Sequence, residues 1–268
     1  INASVHGGAV DEVMSLFHWL MLFLFVGWGL FFLYTLYRFR ASKNPKADYV
    51  GVKSHFSSGL EVAVALIEFV ILIGFALPIW ANRVNAVPNK ADGAEEIRIV
   101  AQQFAWNIHY PGADGIFGAR DVKLVDEESN PIGLDKSDPN AMDDFITINQ
   151  LHIPVNTPIR IDLSSKDVIH SLFLPEFRVK QDAIPGMVIP VWFEATMTSN
   201  QYLETLVGTA REGKGFEIAC AQLCGLGHYR MQGFMTVHSE ESYTAWLDEQ
   251  AQILLEEGED DEWGDDEW

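Results

Sequence analysis

The chain has 268 residues, room for one or two domains, and 48% of them are hydrophobic, enough to bury a core. Its formal net charge at pH 7 is -20, which excludes nucleic acid as a partner and suits a basic one. That charge is unevenly placed: up to residue 84 there are six basic and five acidic residues, and beyond it twelve basic and thirty-three acidic.

Residues 1–12 form a short N-terminal segment. The first residue is Ile1 in place of a methionine, which suggests an upstream signal already removed or other processing of the chain. From Val13 to Tyr37 there is no Asp, Glu, Lys or Arg, a run long enough to cross about 30 Å of hydrocarbon at about 1.5 Å per residue. It is too long for the core of a signal peptide and lacks a basic leader. A second span is expected over 61–84, apolar apart from Glu61 at its start, Glu68 within it and Arg83 at its end. A carboxylate inside a span is costly and reads as functional. The loop 38–60 carries Arg38, Arg40, Lys43, Lys46 and Lys53 against Asp48, so the positive-inside rule puts it in the cytoplasm. Both chain ends then lie outside, with membrane lipid around the two helices.

From residue 85 to 238 short β-like runs are punctuated by Gly, Pro, Asn and Asp, the pattern of an antiparallel sandwich or barrel. The expected strands are Glu96–Tyr110, Phe145–Ile153, Pro158–Leu163, His170–Leu174, Met187–Ala195, Phe216–Ala219 and Phe234–His238. Residues 112–144 read as loop, with one further strand at Val122–Val125. A helix is expected over 239–255, capped by Ser239, with Tyr243, Trp246, Leu247 and Leu254 on one apolar stripe. Residues 256–268 hold nine acids and the unit DDEW twice, which predicts a disordered tail. Its interleaved tryptophans suit docking on a basic partner.

The two cysteines of the chain stand together in CAQLCGLGHYRMQ, residues 220–232. A disulfide between Cys220 and Cys224 would close too small a loop to stabilise so large a domain. Zinc would find three good ligands in Cys220, Cys224 and His228 and a poor fourth in Met231. Thiolate, thioether and imidazole together favour copper, with one thiolate more than a single blue copper uses. Two thiolates can bridge two metals, and a second imidazole would then be needed. His170, between two strand-like runs, is the candidate; His109, His152 and His238 read as ordinary surface or half-buried histidines.

The spacing Cys-x3-Cys-x3-His-x2-Met, the upstream DVIHS (167–171) and DAIPG (182–186), and the two N-terminal helices resemble subunit II of the haem-copper cytochrome c oxidases. The resemblance runs from the first helix to Val237. It implies two transmembrane helices in a hairpin followed by an all-β cupredoxin, a Greek-key barrel holding the dinuclear copper centre CuA. It implies His170, Cys220, Cys224, His228 and Met231 as side-chain ligands and the carbonyl of Gln222 as the remaining one. Electrons would come from cytochrome c or a similar c-type donor and pass to haem in subunit I, where oxygen is reduced and protons are pumped; subunit III is a further expected partner. The implied location is a bacterial inner membrane with the cupredoxin on the periplasmic side. A stand-alone anchored cupredoxin carrier is the alternative.

Some positions depart from that family or extend the comparison. Gln222 stands where many members have a glutamate that reaches magnesium, and a neutral amide is a weaker partner for a hard cation. The copper carbonyl is therefore expected to remain and the magnesium contact to weaken. QQFAWN, 102–107, resembles the family's electron-entry segment, with Phe104 in place of its first tryptophan and Trp106 at the second; core packing explains these rings equally well. Glu61 aligns with the glutamate at the mouth of a proton channel, whereas Glu68 has no counterpart and suits a polar contact with subunit I or a protonated group facing a neighbouring helix. No Cys-x-x-Cys-His occurs, so no covalently attached haem is expected on this chain.

Overall fold

The computed structural model describes residues 1–46, 49–51 and 53–262, and the chain divides into two units, one of residues 8–86 and one of residues 1–7 together with the residues from 87 onward.

In the first unit, α1 (Gly7–Arg38) and a second helix, α2 (Phe56–Ile71) continued by a π turn (Leu72–Ala76) and α3 (Leu77–Asn85), are each long enough to span a bilayer. Both extend beyond the predicted spans. Their apolar windows are unburied all round, with Trp19, Phe23, Phe25 and Leu66 among the outward side chains; water would not tolerate such a surface, and lipid does. The π turn has a local cause. Pro78 lacks an N–H and its ring would strike the carbonyl of residue 74 in a regular helix, so the wider turn just before it relieves the clash. Glu61 and Glu68 lie seven residues apart on α2 and so share one helix face.

The second unit is a sandwich of two five-stranded sheets. β1 (Glu95–Gln102), β2 (Ala105–Tyr110), β3 (Phe145–Ile148), β5 (Pro158–Ser165) and β8 (Ile189–Glu194) form one, in the order β3-β2-β1-β5-β8. β4 (Gln150–Pro154), β6 (His170–Leu174), β7 (Val179–Ala183), β9 (Phe216–Cys220) and β10 (Gln232–His238) form the other, in the order β4-β10-β9-β6-β7. The pairings β1·β5 and β4·β10 are parallel, which corrects the purely antiparallel expectation: the chain crosses between sheets and returns in the same direction. Alternate residues from both sheets, among them Ile99, Trp106, Ile161, Leu172 and Ile218, fill one core.

Several predicted strands divide. Glu96–Tyr110 is a hairpin, with Gln102 opposite Ala105 and the chain reversing at Gln103 and Phe104. Phe145–Ile153 breaks at Asn149, whose φ of 59° turns the chain from the first sheet into the second; asparagine tolerates this left-handed conformation. The run at Val122–Val125 is a 3₁₀ turn (Val122–Leu124), not a strand. Two elements went unpredicted, β7 and the helix α4 (Ser199–Thr205), whose capping box joins Thr198 and Gln201. The last helix, α5 (Glu240–Glu262), passes the predicted limit at 255; both tryptophans of the DDEW repeat lie outside the described residues.

Two peripheral segments complete the unit. Residues 1–7 join it as an edge: Ala3 N–H donates to the Glu176 carbonyl at 2.8 Å, Thr196 N–H to the Ala3 carbonyl at 2.9 Å and Ser4 Oγ to the Phe177 carbonyl at 2.8 Å. The 111–144 segment covers the outer face of the first sheet, where Val100, Ile132, Leu134 and Ala141 make a second small core. Asp121, Asp126, Asp135 and Asp138 hold its turns through backbone N–H groups.

Candidate metal centre

Three stretches of the second sheet bring the predicted ligands together. His170 opens β6, Cys220 closes β9, and the 221–231 loop carries Gln222, Cys224, His228 and Met231 back to β10. Backbone hydrogen bonds fasten the stretches, from Ala221 N–H to the Ser171 carbonyl at 2.9 Å and from Cys220 N–H to the Met231 carbonyl at 3.3 Å. All six predicted residues therefore meet at one end of the sandwich.

The two sulfurs lie 3.7 Å apart as free thiols. Cys220 Sγ is 3.9 Å from His170 Nδ1 and 3.2 Å from the Gln222 carbonyl. Cys224 Sγ is 3.6 Å from His228 Nδ1 and 3.7 Å from Met231 Sδ, and that thioether is 3.2 Å from His170 Nδ1. Each sulfur thus has an imidazole beside it. His170, Cys224 and Met231 are buried, while Cys220 and His228 are half-buried at the open side. Burial, with Cys220 adding, pushes the Cys224 thiol up to about 11.

The donor set fits copper. His170 Nδ1, buried, faces sulfurs and no oxygen acceptor, and its ring is fixed from the other side by Asp167, whose Oδ1 accepts from Nε2 at 2.8 Å. Orienting a ligating imidazole through its second nitrogen is how proteins tune such sites. Burial alone would raise the Asp167 pKa, but hydrogen bonds from His170 and from the backbone N–H of Gln103 and Val168 outweigh it and hold the carboxyl below its ordinary value. The set is soft and sulfur-rich, as copper prefers.

The first sheet supports this site from across the sandwich; the sequence pointed to Phe104 and Trp106 in this segment but not to the contacts of Gln103. Gln103 N–H donates to Asp167 Oδ2 at 2.7 Å, and its side chain donates to the Cys224 carbonyl. Phe104 packs on the glycines of the loop: a Cβ on Gly227 would stand 2.4 Å from its ring. Trp106 is wholly buried, its ring edge-on to His170 with centroids 6.3 Å apart. Of the aromatic pair, only Phe104 reaches the surface. The one available signal was Asp167, three residues before His170 and inside the DVIHS motif.

Of the other histidines, His152 and His238 are half-buried as expected, and His109 needs correction. His109 is fully buried, its Nε2 2.7 Å from Asp144. His152 and His238 pair at 2.8 Å, with His152 stacked on Trp246.

The family profile described as cytochrome c oxidase subunit II, periplasmic domain, matches residues 95–237. The alternative cytochrome c oxidase subunit 2 of Bradyrhizobium diazoefficiens is 34% identical over 244 residues, covering 91% of this chain and 80% of that protein. Cytochrome c oxidase subunit 2 of Cereibacter sphaeroides is 29% identical over 265 residues, covering 90% and 78%. Among solved structures, the periplasmic domain of subunit II of cytochrome oxidase of Bradyrhizobium japonicum aligns at 26% identity and a TM-score of 0.41, covering 63% of this chain and 99% of that one. With the profile spanning more than half of the residues and a relative matched along nearly the whole chain, this protein belongs to the cytochrome c oxidase subunit II family.

Proposed function

We propose that this chain is the electron-entry subunit of a cytochrome c oxidase, receiving electrons from a c-type cytochrome at a dinuclear copper centre and passing them to haem in subunit I. The observation that carries this reading is the pair of thiols 3.7 Å apart, each flanked by an imidazole, with a thioether and a carbonyl at the remaining positions. His170, Cys220, Cys224, His228, Met231 and the Gln222 carbonyl would hold a copper pair, which when bound would supply one-electron transfer with little rearrangement.

The residues of the chain do the rest. Cys220 and Cys224 lose their protons to become ligands. Asp167 holds His170 by Nε2 and leaves Nδ1 for the metal, while His228 closes the open side. Trp106, Leu172 and Met231 keep water from the inner side. Phe104, half-buried over the loop, is the ring through which a docked donor reaches the site. Gln222 contributes its carbonyl, and its neutral side chain is a poor magnesium ligand.

Two helices unburied on all sides support membrane anchoring, and the folding of residues 1–7 onto the β unit supports both ends lying on one face of the membrane, the periplasmic one by the loop charges. Glu61 stands at the proposed proton-channel mouth, with Glu68 two turns further along the same face. Subunits I and III are the proposed partners in the bilayer.

Metal analysis with electron paramagnetic resonance on the full chain tests the centre. A copper pair sharing one electron is expected; a single copper, zinc, or a disulfide without metal would overturn it. Co-purification with a large haem-bearing subunit separates the oxidase from a stand-alone carrier.

A further inference from the structure

A cleft of about 1070 Å³ opens between β1, the end of β5 and the 111–144 segment, with Val100 and Ile132 among its lining residues. Its acids are engaged. Glu127 pairs with Lys166 at 3.1 Å, Asp138 accepts from the backbone N–H of Ala119 and Asn140 at 2.7 and 3.1 Å, and Asp167 holds His170. Two cations of the cleft, Arg98 and Arg120, are not. Among the described residues neither guanidinium has a hydrogen bond or a carboxylate within 4.0 Å; Arg98 meets only the face of Phe117, 4.0 Å from the ring centroid.

This is unusual in a chain of net charge -20. Burial lowers the pKa of both arginines; Asp162, Asp144 and Glu96 oppose this at Arg98, while at Arg120 the Arg98 charge adds to it and Asp162 opposes it. Since arginine stays protonated, the cleft holds two positive charges that no carboxylate approaches within 4.0 Å, Asp162, Asp144 and Glu96 acting on Arg98 and Asp162 on Arg120 only from further away. Each guanidinium offers a planar fork of N–H donors that matches a carboxylate or a phosphate.

We propose that this cleft binds a small soluble oxyanion bearing two or more carboxylate or phosphate groups, clamped by Arg98 and Arg120 against the Phe117 side of the opening. The site is separate from the copper ligands and does not depend on the function proposed above.

Calorimetric titration of the full chain in detergent with sodium pyrophosphate and with citrate, at low ionic strength, tests it. Saturable binding of one anion per chain is expected, weakened at least about tenfold by Arg120→Gln or Arg98→Gln. Arg120 is exposed at the rim, so its substitution leaves the sheet intact; thermal unfolding checks the Arg98 variant. Arg160→Gln, which removes a guanidinium already paired with Asp162 at 3.2 Å, is expected to leave binding unchanged. No saturable heat with either probe up to about 10 mM, equal loss in Arg160→Gln, or full binding in Arg120→Gln would overturn the proposal. So would binding to phosphatidic acid vesicles with neither soluble anion competing, which would assign the arginines to a lipid headgroup.

Discussion

Asp167 and His170 form a hydrogen bond of 2.8 Å across three residues, and the same carboxylate accepts the Gln103 N–H at 2.7 Å. The imidazole is thereby set before any metal arrives. Asp167→Ala is expected to lower copper affinity about 10–100-fold while the fold persists. Competition with a chelator measures it, and Asp167→Glu should recover part of the loss. Wild-type affinity in the alanine variant would show that packing alone orients His170.

The thiols predict a pH dependence of metal uptake. Cys224, pushed up to about 11, is neutral at ordinary pH and must release its proton to bind. Copper affinity of the metal-free chain is therefore expected to rise with pH, by about tenfold per unit for each proton released, up to the thiol pKa. Cys224→Ser should abolish the shared-electron spectrum and flatten this slope. A slope unchanged in that variant would contradict the assignment.

A second pH effect belongs to α5. Burial, then the neighbouring His238, lowers the His152 pKa to about 4. A lowered histidine favours the neutral form, so its stabilising contribution is complete above the unfolded value near 6.5 and is lost as pH falls toward about 4. The groups facing the pair are Trp246, Tyr243 and Ser242. Allowing for solvent screening, the loss is on the order of 1–2 kcal/mol. Denaturant melts at pH 7 and pH 5 measure it, and His152→Gln should reduce the difference.

The contact of Gly227 with Phe104 predicts a compensating pair. Gly227→Ala drives a methyl into the ring and should cost about 1–3 kcal/mol as well as perturbing the copper spectrum. Phe104→Leu in the same chain should restore part of the stability, giving a coupling that a double-mutant cycle reads directly. Strict additivity would mean the loop moves away from the ring without cost.

The ligand loop was legible in the sequence because its chemistry is local: four donors fall within twelve residues, and only His170 is remote. The spans were legible because lipid leaves no choice of side chain. The hairpin at Gln103 and Phe104 was not, since QQFA lacks the glycine or asparagine that usually marks a tight reversal. Asn149 did carry a turn signal, but the apolar residues on both sides outweighed it. β7, with Lys180, Gln181 and Asp182 in its centre, reads as polar because it is an edge strand paired only with β6. α4 carried a readable signature in Thr198 and Gln201. The buried partnership of His109 with Asp144 could not be read, because it joins positions 35 residues apart through the long covering segment.

Gln103 belongs to the sheet that carries no ligand, yet it grips both Asp167 and the Cys224 carbonyl on the sheet that carries them all. The centre therefore sits on the seam of the sandwich and acts as its rivet. Any fluctuation that parts the two layers must release Gln103 and slacken both ligand segments together. Loading the site should accordingly slow amide exchange in the β1–β2 hairpin, which supplies no donor, as much as in the loop that supplies most of them.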